Sequence, residues 1–395
     1  MTRLAARTDR LWVPAAIAVV FALAFVVVRL VITLDGDASA FAMVGSQYAD
    51  TARTPAGLHV EPQSDGYDGQ FFYRLALDPA NLHLAEAHGI RIDDALRTER
   101  IGYPVLAWIG AGGGQQSLVP WSLIAVNVVG IGAIGALGGL LARRYRRHAA
   151  WGAALAGYWG FLFTIGRDLS EIVAAVGTLA GLVLVLRRRP VAAAIVFTAA
   201  VLVREQSVLV AALVTLGAVL VERRAGRRVS KSYVLPFVVP AAALVVWNLV
   251  VAAVIGTLPA TSSKNANFGV PLDGLVTAAH TWYDGVSGAV AHSRFTGALD
   301  FLQLFALVAV VAAACIGWRA SRHQLEVWVP LAGLTLFALC LTDSVYGDPA
   351  NFRTVYDVYL FGVIAVFAGQ RRLWWLAVAV PIVWVLSTYA LVRSI

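Results

Sequence analysis

The apolar residues of this chain gather in long runs, at 11–33, 118–142, 149–166, 172–186, 190–203, 207–221, 233–256, 300–317, 325–341, 350–369 and 373–392. A helix needs about 20 apolar residues to cross a hydrocarbon core about 30 Å thick. Read as crossings, the runs predict an all-α polytopic membrane protein with about eleven transmembrane helices, forming a single integral-membrane domain over 1–395. The first run is too long for a signal-peptide core and no A-x-A site follows it, so it is expected to be retained as the first helix.

The polar stretches between the runs set the orientation. Basic clusters stand at Arg3/Arg7/Arg10, Arg143/Arg144/Arg146/Arg147, Arg187/Arg188/Arg189, Arg223/Arg224/Arg227/Arg228/Lys231, Arg319/Arg322 and Arg371/Arg372. With about eleven crossings and a cytoplasmic N-terminus, every cluster falls on the cytoplasmic side, as the positive-inside bias requires. The same parity places residues 34–117 outside as a long first loop, 257–299 as a second and 342–349 as a shorter third. Site chemistry is therefore expected on the external face.

Two external turns look recessed. The run 190–203 would rise only about 21 Å as a helix, yet the basic clusters on both sides of 190–221 must stay inside. Its turn, Arg204-Glu205-Gln206, should then lie below the outer surface. The pair 149–166 and 172–186 behaves similarly around Arg167-Asp168-Leu169-Ser170-Glu171. Polar groups at such depth face a protein-lined or wet cavity.

Composition narrows the class further. The chain is 59% hydrophobic and 14% charged, with a mean hydropathy of +0.74, which excludes an ordinary cytosolic enzyme and a disordered chain. The net charge of +8 is explained by the cytoplasmic loops and does not call for nucleic acid. Cys315 and Cys340 both lie in apolar runs and provide neither a disulfide framework nor a metal spacing. The Ala/Val/Arg/Gly richness with few Lys suits the plasma membrane of a GC-rich bacterium such as an actinobacterium.

The first loop carries the most informative string, Ser64-Asp65-Gly66-Tyr67-Asp68-Gly69-Gln70-Phe71-Phe72-Tyr73-Arg74-Leu75-Ala76-Leu77-Asp78-Pro79. Two acids flank a glycine turn. A short helix is expected from Gly69 to about Leu77, stopped by Asp78-Pro79 because the residue before proline is pushed out of the helical region. Phe71, Phe72, Leu75 and Ala76 suit an amphipathic helix lying at the membrane surface. Asp68 then has two readings. It is an N-cap, accepting a backbone N–H bond two or three residues on, or it is a carboxylate that deprotonates an acceptor hydroxyl.

The long first external loop and its acidic motif resemble the GT-C class of integral-membrane glycosyltransferases. Tyr67-Asp68-Gly69-Gln70-Phe71-Phe72-Tyr73 looks like the W-D-x-x-[WH]-[YF] pattern of GT-C mannosyltransferases, with Tyr67 for Trp and Phe71 for Trp or His. The resemblance implies a polyprenyl-phosphate sugar as donor, inversion at the anomeric carbon and a hydroxyl of an envelope glycan, glycolipid or protein as acceptor. It implies Asp68 as the base, Asp65 as an auxiliary acid, and Tyr67 and Gln70 beside them. Members of the class that use lipid-phosphate sugars generally need no cofactor, and no metal is expected here.

The phosphate left by such a donor needs fixed positive charge in a dry site, which arginine suits. Arg353, after Asp348-Pro349 at the start of the run 350–369, is one candidate, and the alternative is a snorkelling arginine at a helix end. Arg204 is the second, with an internal ion pair to Glu205 or Glu171 as its structural alternative. Lys264, in a polar stretch of the second loop, is the third. Arg167, Asp168 and Glu171 either contact sugar hydroxyls or form a structural network. Trp282-Tyr283-Asp284 reads as an interfacial aromatic anchor or a sugar contact. A multi-pass transporter or lipid flippase is the competing function, but it would place charges mid-membrane and show pseudo-symmetry, whereas here the charges collect outside.

Overall fold

A computed structural model of the chain describes residues 9–262, 267–288, 294–346, 349–370 and 372–393. The helices are α1 (Trp12–Ile32), α2 (Gly69–Leu77), α3 (Ala95–Glu99), α4 (Gly102–Gly110), α5 (Val119–Arg144), α6 (Ala153–Ala156), α7 (Gly160–Gly166), α8 (Glu171–Leu186), α9 (Pro190–Val203) and α10 (Ser207–Arg224). They continue with α11 (Leu235–Ile255), α12 (Pro259–Ser262), α13 (Asp273–Ser287), α14 (Arg294–Ile316), α15 (Trp318–Ser321), α16 (Leu325–Leu339), α17 (Asp343–Tyr346), α18 (Tyr356–Gly369) and α19 (Trp374–Arg393). Proline opens α5, α9 and α11 in the first turn, where no backbone N–H is lost. Arg143 and Arg144 close α5, and Arg223 and Arg224 close α10, where cations favour the helix dipole.

Among the described residues six helices are long and apolar enough to cross a membrane. They are α1, α5, α11 with its lead-in, α14, the stretch Phe352–Gly369 and α19; α8, α9 and α16 are shorter apolar helices. The chain is thus a helical protein with membrane-spanning character. The run 149–166 does not form one helix. It divides into a 3-10 turn at Ala149–Gly152, then α6 and α7. Its parts are pinned to different neighbours: a Cβ on Gly152 would lie 2.1 Å from the Gly139 backbone, and one on Gly160 would lie 2.8 Å from Arg353 Cα. The run 350–369 also starts differently from expectation, because its first turns are a tight 3-10 helix, Pro349–Val355.

The first loop, 34–117, is folded. It holds a 3-10 turn (Ala38–Ala42), α2, α3, α4 and a parallel two-residue pairing of Val44–Gly45 with Val60–Glu61. Helix α2 does not lie on a surface: all nine of its residues are buried. Phe71 and Leu75 pack with Leu82, Ile92 and Ile101, while Phe72, Tyr73 and Ala76 enter the main core. Both sides of α2 are thus covered by protein.

The polar connections meet at two ends of the helix bundle. At one end the basic loops contact one another. Arg143 pairs with Asp9, Arg188 and Arg227 with Glu222, and Arg147 donates to the carbonyls of Phe367 and Gln370. At the other ends of α8, α9, α10 and the Phe352–Gly369 stretch, the turns at 167–171, 204–206 and 349–355 meet the first loop.

Candidate functional site

Asp68 is placed by local sequence. Gly66 sits at φ +65°, and a Cβ there would lie 2.5 Å from both the Gly45 nitrogen and the Met43 carbonyl oxygen. Gly69 opens α2 against the turn of Arg167, where a Cβ would fall 2.2 Å from the Arg167 carbonyl oxygen. Asp78 ends the helix by leaving the helical region, at φ −149°, before Pro79. Gln70 fastens the motif to the loop. Its Oε1 accepts from the Gly45 N–H at 3.1 Å, and its Nε2 donates to the Asp65 carbonyl at 2.9 Å. Gln70 is therefore a buried strut.

The Asp68 side chain makes no capping hydrogen bond. It is turned to arginine instead. Oδ1 lies 2.8 Å from Arg97 Nη1, and Oδ2 lies 3.5 Å from Arg353 Nη2 and 3.9 Å from Arg100 Nη1. The carboxylate is 16% exposed. Burial pushes its carboxyl up, but the guanidiniums of Arg97, Arg353, Arg100 and Arg204 outweigh burial and hold it below the usual carboxylate range.

Behind Asp68 lies an ion-pair network, buried where Glu171 meets Arg204 and Arg353. Glu171, at the start of α8, meets Arg204 Nη1 at 2.6 Å and Arg353 Nε at 2.8 Å through one oxygen, Oε1, and Thr164 Oγ1 donates to its Oε2 at 3.3 Å. Glu205 does not pair with its neighbour Arg204; it takes both a 2.6 Å and a 2.9 Å bond from Arg100. Burial raises the Glu205 carboxyl, and the Arg100 contact brings it down to about 2. Arg353 is not a snorkelling side chain, since it is buried beside Glu171 and Asp68. Its neighbour Phe352 packs on Trp282 at 5.7 Å between ring centroids. Trp282 is fully buried, so this tryptophan of the second loop braces the arginine and is no interfacial anchor; Tyr283 is exposed.

Tyr67 joins the cluster through its ring. The Arg167 guanidinium lies 4.2 Å from its centroid and that of Arg353 5.3 Å, within the range of cation–π attraction. Two expected members lie elsewhere. Asp65 is exposed, with its side chain outside the arginine cluster. Asp168 is fully buried at φ +49°, and its electrostatic neighbour is Arg29 of α1. The turn that aims Glu171 at the cluster sends Asp168 the other way. Lys264 lies outside the described residues.

Arg97 and Arg100, which line the site from the first loop, escaped the sequence reading. The available signal was local: Asp94 caps α3 by accepting from the Leu96 N–H at 2.8 Å, which puts Arg97 in the helix and Arg100 at its C-cap. Among the described residues no group of His, Cys, Asp and Glu could hold a metal ion. The arrangement offers a partly open carboxylate, Asp68, amid guanidiniums, a combination that takes a proton and an anion side by side. No protein-family model matches the chain and no curated protein matches it, so the site stands on its own geometry.

Proposed function

We propose that the protein is a membrane glycosyltransferase of the GT-C kind, moving a sugar from a polyprenyl-phosphate donor to a hydroxyl of an envelope glycan, glycolipid or protein. It works with inversion, on the external face of a bacterial plasma membrane crossed about eleven times. The observation that carries this reading is that Asp68 is released from capping and stands partly open among Arg97, Arg100 and Arg353. Base and anion site are then adjacent.

In the transfer, the acceptor oxygen attacks the anomeric carbon and its proton goes to an Asp68 oxygen. The bond from that carbon to the phosphate oxygen breaks, and its electron pair leaves on the phosphate. Fixed guanidiniums stabilise that developing charge without reorganising. Two apolar clefts suit an isoprenoid tail. One of about 360 Å³ is lined by Phe161, Leu162 and Ile165 of α7, beside Phe21 and Trp384. The other, of about 520 Å³, lies between α4, α5 and α8. Thr164 of the same helix does not line the first cleft and reaches Glu171, so α7 links an apolar tail site to the charged head site.

The test is direct. Purified protein is incubated with a panel of radiolabelled polyprenyl-phosphate sugars and envelope lipid extract. Label entering an acceptor from one lipid-linked sugar, and none entering with Asp68→Asn, is the expected result. Absence of transfer from every lipid-phosphate sugar overturns the reading.

A further inference from the structure

The guanidiniums that act on Asp68 are not equally held. Arg100 is gripped by both oxygens of Glu205. Arg204 and Arg353 share Glu171, a carboxylate only 1% exposed. Withdrawing Arg204 or Arg353 leaves a buried carboxylate short of its partner, which is costly, and Arg100, itself only 9% exposed, would give up two hydrogen bonds at once. Arg97 differs. Its side chain is 23% exposed on the short helix α3, and its carboxylate partners, Asp93 and Asp68, are themselves partly open. Its apolar support is the Phe71 ring at 5.4 Å. Ion pairs open to solvent are weak, so Arg97 changes partner at the least cost.

Resting on the lipid-phosphate reading above, we propose that Arg97 is an exchangeable clamp: it holds Asp68 in the free protein and moves to the phosphate head group of the incoming donor, leaving Asp68 open to the acceptor hydroxyl. A carboxylate held 2.8 Å from a guanidinium is a poor base, and it has to shed that partner to receive a proton. Phosphate oxygens accept the planar fork of arginine as well as a carboxylate does. An anion arriving beside Asp68 also favours its protonated form, so the donor both opens the base and strengthens it.

Competition for one guanidinium has a reciprocal consequence. If Asp68 and phosphate compete for Arg97, deleting the carboxylate tightens phosphate binding. A residue that only maintains the fold gives the opposite or nothing.

The experiment measures binding of farnesyl phosphate to the full-length protein in detergent by calorimetry, with farnesol and inorganic phosphate as the comparison arms. Asp68→Asn should bind farnesyl phosphate about tenfold tighter than the parent, the scale of one charge-assisted contact. Arg97→Gln should bind it more weakly, Arg97→Lys should fall between, and the gain from Asp68→Asn should vanish in the Arg97→Gln background. Inorganic phosphate following the same order places the competition in the head group, and farnesol should respond to neither change. Unchanged or weaker binding by Asp68→Asn, or a gain that survives without Arg97, overturns the clamp. Parental affinity in both Arg97 variants overturns it independently of how Asp68→Asn folds. Sugar transfer by the parent with no such competition would sink the clamp alone, while competition without transfer from any donor would sink the transferase reading alone.

Discussion

Arg204 and Arg353 converge on a single atom: both guanidiniums meet Glu171 Oε1, at 2.6 Å and 2.8 Å. The two arginines come from different parts of the chain, one from the turn after α9 and one from the 3-10 helix before α18. Glu171 is thus the pin that joins three segments beneath Asp68. Glu171→Gln removes the charge and leaves two buried guanidiniums without it. The expected cost is about 3–5 kcal/mol, the penalty for breaking a buried pair from one side. Thermal unfolding in detergent checks this, with Asp65→Asn, an exposed change, expected to leave the midpoint unmoved.

Asp68→Asn separates chemistry from architecture. Because the side chain makes no capping bond, the change should leave α2 intact. Asparagine takes no proton at neutral pH, so turnover should fall roughly 10²–10⁴-fold, the usual contribution of a positioned base. Asp65→Asn should be mild by comparison. Parental transfer rates in the Asp68→Asn protein, measured with the donor identified in the sugar panel, would rule out a carboxylate mechanism at this position.

Gly69→Ala tests the seat of the motif. The added Cβ would fall 2.2 Å from the Arg167 carbonyl oxygen and 2.8 Å from that of Ala42, both backbone atoms that move only with their segments. Overpacking of this kind costs about 1–3 kcal/mol, and here it also displaces the residue next to the carboxylate. Activity should fall further than the loss of stability explains. A variant as active and as stable as the parent would mean that the turn at 167–171 yields without moving Asp68.

Helix α2 was legible because its signals are local: a glycine turn before it and an Asp-Pro stop after it. The pairing of Arg204 with Glu171 was legible as one of two alternatives, because both residues sit in turns short enough to be recessed. Arg97 and Arg100 were not, since an irregular loop separates them from Asp68 and only the folded loop brings them back. The break in 149–166 was hidden for a related reason. It arises from Gly152 and Gly160 lying against backbone of other segments, a contact that an apolar run does not encode. Trp282 looked interfacial beside Tyr283 and Asp284, yet its ring fills the space behind Phe352.

The sidedness of the bundle is tested by cysteine labelling in a background with Cys315 and Cys340 replaced. Ala52, in the first loop, and Arg224, at the end of α10, are both exposed and lie at opposite ends of the bundle. On intact cells Ala52→Cys should react with an impermeant thiol reagent, and Arg224→Cys should react only after permeabilisation. The reverse pattern would put the arginine cluster in the cytoplasm and exclude an external donor site.

Stability should also depend on pH through Glu99, at the end of α3. Its Oε1 accepts from Asn248 Nδ2 at 2.7 Å, and the residue is 5% exposed. Burial, reinforced by the nearby charge of Glu205, pushes its carboxyl up from 4.5 to about 6. The native state therefore holds this proton more tightly than the unfolded chain does. Stability from this group is present in full below about 4.5 and is lost as pH rises to about 6 and beyond. Glu205 has the opposite sign: lowered to about 2 by Arg100, it contributes stability that is lost as pH falls below the ordinary range. Glu99→Gln keeps an acceptor for Asn248 and removes the titration. At pH 7.5 it should be more stable than the parent by up to about 2 kcal/mol, from the size of the shift. At pH 4.5 the two should be nearly equal. Unfolding midpoints for both proteins across that interval decide the matter, and parallel curves would show that Glu99 does not titrate in this window.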